Sequence, residues 1–435
     1  MNGSNNNNGH INLPPVEGTL PKNFISRLKG LMNWKQAFTA LKYPNYKLWF
    51  QGQIVSLFGT WLQTTAQGFL IYELTQSPAY LGYVGFATGL PSWILMLYGG
   101  VIADRISRRK LLIITQAAMM IFAFILAALT FFDLVMPWHI LVLAFGTGAA
   151  NAFYAPARHS FVYELVDKED LTNAIALNST MFNSATFVGP AAGGLIYAGF
   201  GAEICFLLNG ISFLAVIYAL GKMKLVPFIK QIHNNSPLHD LKEGLLYVFR
   251  HKVIRIIMVL VTATSLFGIS FATLIPAWAV TVLNGDVTTN GYLQSARGLG
   301  ALLGALMLAS FGRFRFKGKL LTLGTLLFPV LLFGFSFSRW LPLSLLILIP
   351  MGASNMFIYN MANVIIQNHV DDKLRGRVMG IYSFTFFGLM PIGALFIGLI
   401  AEYTSEPFTL LVNSLLLALI SLSVYKLFPF IRREE

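Results

Sequence analysis

One arginine, Arg297, lies about ten residues inside a stretch of the chain, 287–312, that carries no other charge. A guanidinium this deep in hydrocarbon costs roughly 2.5–3.5 kcal/mol, so it persists only beside water, a counter-charge or an anionic ligand. The residue could therefore attract a carboxylate or a catecholate. Two alternatives remain open, an arginine that extends to the membrane interface and one that forms a salt bridge with Glu73.

Amide side chains are the second group that could bind a polar molecule. Gln63 and Gln67 are four residues apart and share one face of a helix, as Asn360 and Asn363 also do. They could line a cavity or equally hold neighbouring helices together, at around 0.6 kcal/mol each. The candidate ligand-binding residues are Arg297, Gln63, Gln67, Asn151, Asn183, Asn355 and Asn360.

Acidic residues are the third group, because proton transfer across a membrane needs a titratable acid. All 18 carboxylates lie in tails, loops or helix ends, with Glu73 the first candidate for proton coupling and Asp104 the second. Glu73 could instead be an ordinary helix-end carboxylate at the interface. The seven histidines are scattered, so no acid–base or metal cluster is predicted within a membrane. This pattern argues against an intramembrane enzyme, and no cofactor is expected.

Membrane helices must position these residues, because twelve long stretches lack Asp, Glu, Lys and Arg, apart from Arg297. A helix rising 1.5 Å per residue crosses roughly 30 Å of hydrocarbon with about 20 residues. The chain is 56% hydrophobic and 11% charged, which agrees with an all-α integral membrane protein of twelve spans. The stretches are 48–72, 74–103, 111–132, 134–157, 171–202, 204–221, 256–285, 287–312, 320–338, 340–370, 378–401 and 407–425.

The formal net charge of +13 is explained by topology. With the N-terminus in the cytoplasm, 29 of the 31 Lys and Arg residues fall in cytoplasmic segments, one of which is 158–170. The exceptions are Arg297 and Arg339, the latter in an outer loop. The positive-inside rule therefore predicts that both termini are cytoplasmic. It also removes the reason to invoke a nucleic-acid partner.

An internal repeat runs through the chain. Gly89-Leu90 and Lys110-Leu111-Leu112 recur at an offset of 209 residues, and Asn151, Phe153 and Val166-Asp167 recur at an offset of 204. Two homologous six-helix bundles enclosing a midplane cavity are a known transporter plan. The predicted organisation is a tail with a possible interfacial amphipathic helix (1–46), the first bundle (47–221), a central cytoplasmic loop (222–252), the second bundle (253–428) and a second tail (429–435).

The segment after the second stretch reads Gly100-Val101-Ile102-Ala103-Asp104-Arg105-Ile106-Ser107-Arg108-Arg109-Lys110. It resembles the signature G-x-x-x-D-R-x-G-R-R/K of the major facilitator superfamily, with Ser107 replacing the second glycine. Gly189-Pro190-Ala191-Ala192-Gly193-Gly194 resembles the G-P-x-x-G-G core found in exporters of that superfamily. A small residue lets helices approach closely, and Pro190 removes a backbone hydrogen bond.

Several other segments resemble the transmembrane secretion effector branch of the superfamily, to which enterobactin exporters are similar. They are Gly59-Thr60-Trp61-Leu62-Gln63, Ala155-Pro156-Ala157-Arg158, the run from Leu171 to Ser179, and Leu374-Arg375-Gly376-Arg377-Val378-Met379. The gating residues that the resemblance implies are Asp104, Arg105, Arg108, Gly189, Pro190, Gly193, Gly194 and Arg377, and the inventory of carboxylates adds Glu73 as a coupling residue.

The resemblance implies a monomeric exporter in a bacterial cytoplasmic membrane, moving a small organic molecule by alternating access and proton antiport. A siderophore or comparable metabolite is the favoured substrate, followed by drugs or macrolide-like compounds and then by lysophospholipids. A sensor or accessory subunit is disfavoured, because the loops are too short to hold a soluble domain.

Overall fold

The computed structural model describes residues 38–225, 237–311 and 316–434, without the side chains of 94, 96–105, 237–241 and 311. These residues form twelve long helices and no β-strand. Most of the predicted amphipathic segment lies outside the described residues. The helices are α1 Pro44–Thr75, α2 Pro78–Arg105, α3 Arg108–Phe131, α4 Pro137–Leu165, α5 Leu171–Phe200, α6 Ala202–Lys222, α7 Lys252–Val282, α8 Val287–Phe311, α9 Lys317–Ser336, α10 Leu341–His369, α11 Arg375–Tyr403 and α12 Glu406–Leu427.

Local sequence explains where these helices begin and end. Proline occupies the first turn of α1, α4, α10 and α12, where its missing N–H would be unpaired in any case. Gln76 ends α1 with φ 52°, and its N–H donates to the carbonyl of Tyr72. Within the described residues, eight of the twelve helices are long and apolar enough to cross a membrane by composition, and α1, α2, α5 and α8 are not among them. Three of those four, α1, α5 and α8, carry many of the amides and glycines that the site uses.

The helix bundle has two opposite faces, at which the helices begin and end. The described residues begin and end on the same face, where the Glu434 carbonyl accepts a hydrogen bond from the Gly318 N–H at the start of α9. We call this the terminal face, and its opposite, which carries the α1–α2 and α7–α8 turns, the far face. The sequence predicts that the terminal face is cytoplasmic, and that assignment stays a prediction here.

The molecule consists of two halves, α1–α6 and α7–α12, that meet along two seams. One seam is the contact between α5 and α8, and the other is the contact between α2 and α11. A Cβ atom on Gly291 would lie 2.6 Å from the carbonyl oxygen of Pro190, and one on Gly82 would lie 2.7 Å from that of Ala394. Backbones therefore touch at both seams, as small residues allow in membrane helices.

The two seams are equivalent, which confirms the pseudo-symmetric fold. Gly82 and Gly291 differ by 209 residues, as do Gly89 and Gly298, and all four lie in the seams. Within the halves, Gly148 packs on the carbonyl of Thr88 as Gly352 packs on that of Arg297. Gly148 and Gly352 differ by 204 residues, and Thr88 and Arg297 differ by 209. Arg297 therefore occupies the position that Thr88 has in the first half.

Polar contacts close the seams near the far face. Glu402 of α11 accepts hydrogen bonds from Ser77 Oγ at 2.6 Å and from the Ala79 N–H at 3.2 Å, at the start of α2. In the other seam, the Ala191 N–H donates to Ser295 Oγ at 2.8 Å. An acidic group at a helix N-terminus is favoured by unpaired N–H groups and by the helix dipole.

The seam between α5 and α8 is open toward the terminal face. Gly194 and Gly291 pack against each other, yet Ala176 and Ala309, each eighteen residues away on the same helix face, are exposed. Eighteen residues are five full turns of a helix, so Ala176 and Ala309 point in the same directions as Gly194 and Gly291. The two helices nevertheless do not cover these alanines. The structure is therefore sealed at the far face and holds a crevice open to the terminal face.

Two features of the second half were not expected from the sequence. Helix α7 is irregular, with a π turn at Thr264–Gly268, a 3-10 segment at Ile269–Leu274 and a second π turn at Trp278–Val282. Such segments within a helix often mark hinges. In addition, residues predicted as loop form an amphipathic helix, Pro237–Arg250, which packs on α11.

A methyl group added to a seam glycine should destabilise the protein. In Gly291→Ala and Gly82→Ala the new Cβ meets a backbone oxygen, and overpacking of this kind costs about 1–3 kcal/mol. We expect both variants to melt at a lower temperature than wild type in lipid nanodiscs. Gly199→Ala is the matched control, because a Cβ at this position meets no atom within 4 Å. Three equal melting temperatures would contradict the backbone contact.

The crevice should admit thiol reagents from one side only. Cys205 is the sole cysteine, so a Cys205→Ala background allows single cysteines to be introduced. We expect Ala309→Cys to react with a membrane-impermeant maleimide applied to the terminal face, and Ser295→Cys, inside the seal, to react far more slowly. Equal rates at the two positions would contradict a crevice that is open at Ala309 and sealed at Ser295.

Candidate substrate-binding site

Helix α8 presents a polar stripe to the interior. Tyr292 lies in the sealed half and is 40% exposed, so it marks the lipid-facing side. At 3.6 residues per turn, Arg297 is rotated about 140° from Tyr292 and Asn290 about 160°. With Gln294 between them, these residues follow i, i+4, i+7 spacing along one face.

The stripe has more donors than acceptors. Gln294 Nε2 donates to Asn290 Oδ1 at 3.0 Å, while the buried Asn290 Nδ2 and Arg297 Nε have no partner. No carboxylate of the described residues pairs with Arg297. Glu73 instead accepts a hydrogen bond from Tyr197, so the alternative of a salt bridge between Arg297 and Glu73 does not occur. A carboxylate binds well to unpaired guanidinium and amide donors.

Arg297 lies at the closed end of the crevice. It directly precedes Gly298, whose Cβ position would lie 2.4 Å from the carbonyl oxygen of Thr186 on α5. Beyond this point toward the terminal face, the facing surface of α8 is exposed at Ala309. A molecule entering from the terminal face would therefore meet Arg297 where the two halves close.

Helix α10 contributes Asn355 but not Asn360 to the interior. Leu346 is 67% exposed in the sealed half and marks the lipid-facing side of α10. Asn355 is rotated about 180° from Leu346, and its Oδ1 is buried without a partner. Asn360 is rotated only about 40° from Leu346 and bonds its own helix at the Met356 carbonyl, 3.0 Å away. This geometry argues against Asn360 as a cavity residue.

Helix α4 carries a second interior stripe, formed by Asn151, Tyr154 and Arg158. Val142 marks the lipid side, and Asn151 is rotated about 180° from it. Asn151 is nevertheless exposed, which is consistent with an opening into the crevice. It differs from Asn355 by the repeat offset of 204, so the two asparagines hold equivalent positions in the two halves.

Arg158 is a candidate that the sequence interpretation missed. The charge pattern of the sequence places it in a cytoplasmic segment, whereas α4 continues through it to Leu165. Its Nη2 donates to Asn178 Oδ1 at 3.1 Å, and its Nε is buried without a partner. The absence of proline or glycine between Arg158 and Leu165 was the signal that the helix extends further.

Three of the predicted amides, Gln63, Gln67 and Asn183, form their hydrogen bonds within the first half of the molecule. Gln63 Oε1 accepts from Asn209 Nδ2 of α6 at 2.6 Å, and Gln63 Nε2 donates to Gln67 Oε1 at 3.4 Å. Asn183 is buried and donates to the Ser179 carbonyl of its own helix at 2.9 Å. For these residues the structure favours the packing alternative.

The predicted gating residues are distributed along the seams and the terminal face. Gly189 packs on Trp61 and Gly193 on Leu62 of α1, whereas Gly194 and the Pro190 carbonyl face α8. Arg108 pairs with Glu164 of α4, and Arg377 with Glu243 of the helix Pro237–Arg250. The side chains of Asp104 and Arg105 lie outside the described residues.

A charged cluster fastens the segment before α1 to the α4–α5 turn at the terminal face. Lys42 Nζ lies 2.6 Å from Asp170 Oδ2, and the Tyr43 hydroxyl donates to the same oxygen at 2.7 Å. These two contacts lower the pKa of Asp170 below its usual value, with Lys42 the larger cause. The hydrogen bond to Asp170 also raises the pKa of Tyr43 to about 12, so the cluster keeps its charges at neutral pH.

Comparisons with known proteins agree with this architecture. The family model described as transmembrane secretion effector matches residues 35–433. The staphyloferrin A transporter of Staphylococcus aureus is 25% identical over 82% of this chain and 89% of its own length. Macrolide efflux protein A of Streptococcus pyogenes is 22% identical over 83% and 91%.

Among solved structures, the nucleoside transporter NupG is similar, with a TM-score of 0.69 and 16% identity. The match covers 89% of this chain and 99% of NupG. At that identity the likeness shows the fold alone, and it is the fold of a major facilitator transporter. The chain therefore belongs to the transmembrane secretion effector family and is a multi-pass membrane transporter of small molecules, not an enzyme.

Proposed function

We propose that this transporter exports a small organic anion, with a siderophore or a comparable metabolite as the favoured substrate. The observation that carries the proposal is Arg297, an interior arginine without an ion pair among the described residues, at the closed end of the crevice. An unpaired guanidinium inside a membrane protein is a functional site by default, and an anionic ligand supplies the missing counter-charge.

The donors around Arg297 fit such a substrate. Arg297 Nε lacks an acceptor, and a bound carboxylate or catecholate would supply one, whereas the unpaired Asn290 Nδ2 lies about two turns deeper in the sealed half. Iron chelators bind metal through oxygen anions of this kind. The similarity to a staphyloferrin A transporter supports a siderophore, and the similarity to a macrolide efflux protein supports drug export as the second candidate.

Transport would follow the geometry of the two seams. We place the terminal face in the cytoplasm of a bacterium, with both chain ends inside, because the Lys and Arg residues concentrate there. In the conformation described, a monomer would load substrate from the cytoplasm at Arg297. Separation of the seams at the far face and closure at the terminal face would then release it outside.

Proton antiport is the proposed driving reaction. Glu73 remains the first candidate for the titrating acid and Asp104 the second. Glu73 is exposed at the far end of α1 and bonded to Tyr197, a position from which it can exchange protons with the outside.

The test compares a deletion strain with complemented strains by metabolite profiling of supernatant and cells, under iron-replete and iron-starved growth. We expect a metal-chelating anion to fall outside and accumulate inside the deletion strain. Wild type and Arg339→Gln, a far-face arginine outside the crevice, should restore export. Arg297→Ala should reduce export at least tenfold, because tenfold corresponds to only about 1.4 kcal/mol.

The result that would contradict the proposal is an identical supernatant in all strains and both iron conditions. Drug-susceptibility and lysophospholipid-transport assays would then decide between the remaining candidates. If the Arg297→Ala variant restored export, a siderophore would remain the proposed substrate, but Arg297 would not be needed to bind it.

A further inference from the structure

A second interior arginine lies on α4 in the first half. Arg158 is rotated about 160° from the lipid-facing Val142, and it is half-buried. Its single hydrogen bond runs from Nη2 to Asn178 Oδ1 on α5, and no carboxylate of the described residues pairs with it. A guanidinium bonded to one neutral amide keeps most of its positive charge uncompensated.

The surroundings of Arg158 contain further unmet polar groups. Tyr154, one turn away, donates its hydroxyl to Gln53 Oε1 at 2.9 Å. Gln53 is fully buried and its Nε2 has no partner, and the buried Arg158 Nε has none either. Natural proteins rarely bury several unpaired polar atoms together unless water or a ligand reaches them.

The repeat shows that this cluster belongs to one half only. At the offset of 204, Arg158 corresponds to Ala362 and Tyr154 to Ile358, which are both buried core residues. Conversely, Arg297 corresponds to Thr88. Among the described side chains, each half therefore contributes one interior arginine, Arg158 or Arg297, and the two are not symmetry-related. Helix packing alone does not require them, because the other half packs without them.

The two arginines also lie at different depths. Arg297 is level with Gly352, the equivalent of Gly148 in the first half. Arg158 follows Gly148 by ten residues along α4, which is about 15 Å toward the terminal face. A molecule entering the crevice from that face would meet Arg158 first and Arg297 at the closed end.

From this arrangement we propose that Arg158 and Asn178 form a second anion-binding subsite, which receives a carboxylate, catecholate or sulfonate group of the substrate. The proposal rests on the proposed function, since it extends anion binding at Arg297 along the crevice. A substrate with two separated anionic groups would bind both arginines, and one with a single group would pass from Arg158 to Arg297.

The experiment probes the charge of the subsite without knowledge of the substrate. In the full-length Cys205→Ala protein, Asn178→Cys is labelled from the terminal face with sulfonatoethyl and with trimethylammonioethyl methanethiosulfonate. The sulfonate reagent stands in for an anionic substrate. We expect the ratio of anionic to cationic labelling rates to fall about tenfold on adding Arg158→Gln, a change of about 1.4 kcal/mol. Arg158→Lys should retain much of the ratio, and Arg339→Gln, the control, should leave it unchanged.

Two results would overturn the subsite. The first is a rate ratio that Arg158→Gln leaves unchanged, and the second is an Asn178→Cys that reacts with neither reagent. The outcome of the secretion experiment does not depend on the outcome of this labelling experiment. An unchanged secretion profile together with an Arg158-dependent labelling ratio would refute the siderophore and keep the subsite.

Discussion

Direct backbone contact between the two halves is the constraint on which the rest of the structure depends. Lipid chains are as apolar as leucine, so no hydrophobic force drives membrane helices together, and close packing must replace it. Gly82 and Gly89 on α2, and Gly291 and Gly298 on α8, supply that packing against α11 and α5. Smooth glycine surfaces do not interlock, so the same contacts that hold the halves together allow them to part. Among the described residues, hydrogen bonds such as those of Glu402 and Ser295 fix how the two halves are aligned where they touch.

The asymmetry between the halves is as informative as their symmetry. Gly148 and Gly352 set equivalent helix crossings, yet Thr88 beside the first is replaced by Arg297 beside the second. Symmetric positions maintain the fold, while the polar stripes of α4 and α8 differ and give the crevice its positive character. A buried donor without an acceptor is costly in a finished fold. In a transporter it is acceptable, because the substrate supplies the acceptor during each cycle.

Much of the fold was predictable, since the cost of burying charge forces membrane helices to be charge-free and the repeat offsets survive in the sequence. The directions of side chains were harder to predict. Asn360 and Asn355 are both polar residues of α10, but only the rotation of the helix relative to its neighbours separates a lipid-facing residue from an interior one. Arg158 was counted with loop cations because positive charge normally ends a span. The irregular turns of α7 lie beside Gly268 and Pro276, residues that disturb a helix, but these residue types do not specify whether the helix widens, tightens or kinks.

The two repeat offsets record where the halves diverged after duplication. The offset is 209 residues for α2 and α8 and 204 for α4 and α10, so five residues were gained or lost between the start of the third helix and the start of the fourth helix of a half. That change fits α9, which is 20 residues long where α3 has 24. Neither α3 nor α9 takes part in a seam. Evolution was therefore free to change the length of the peripheral hairpin, whereas a single insertion in α2, α5, α8 or α11 would have rotated every seam glycine beyond it out of contact.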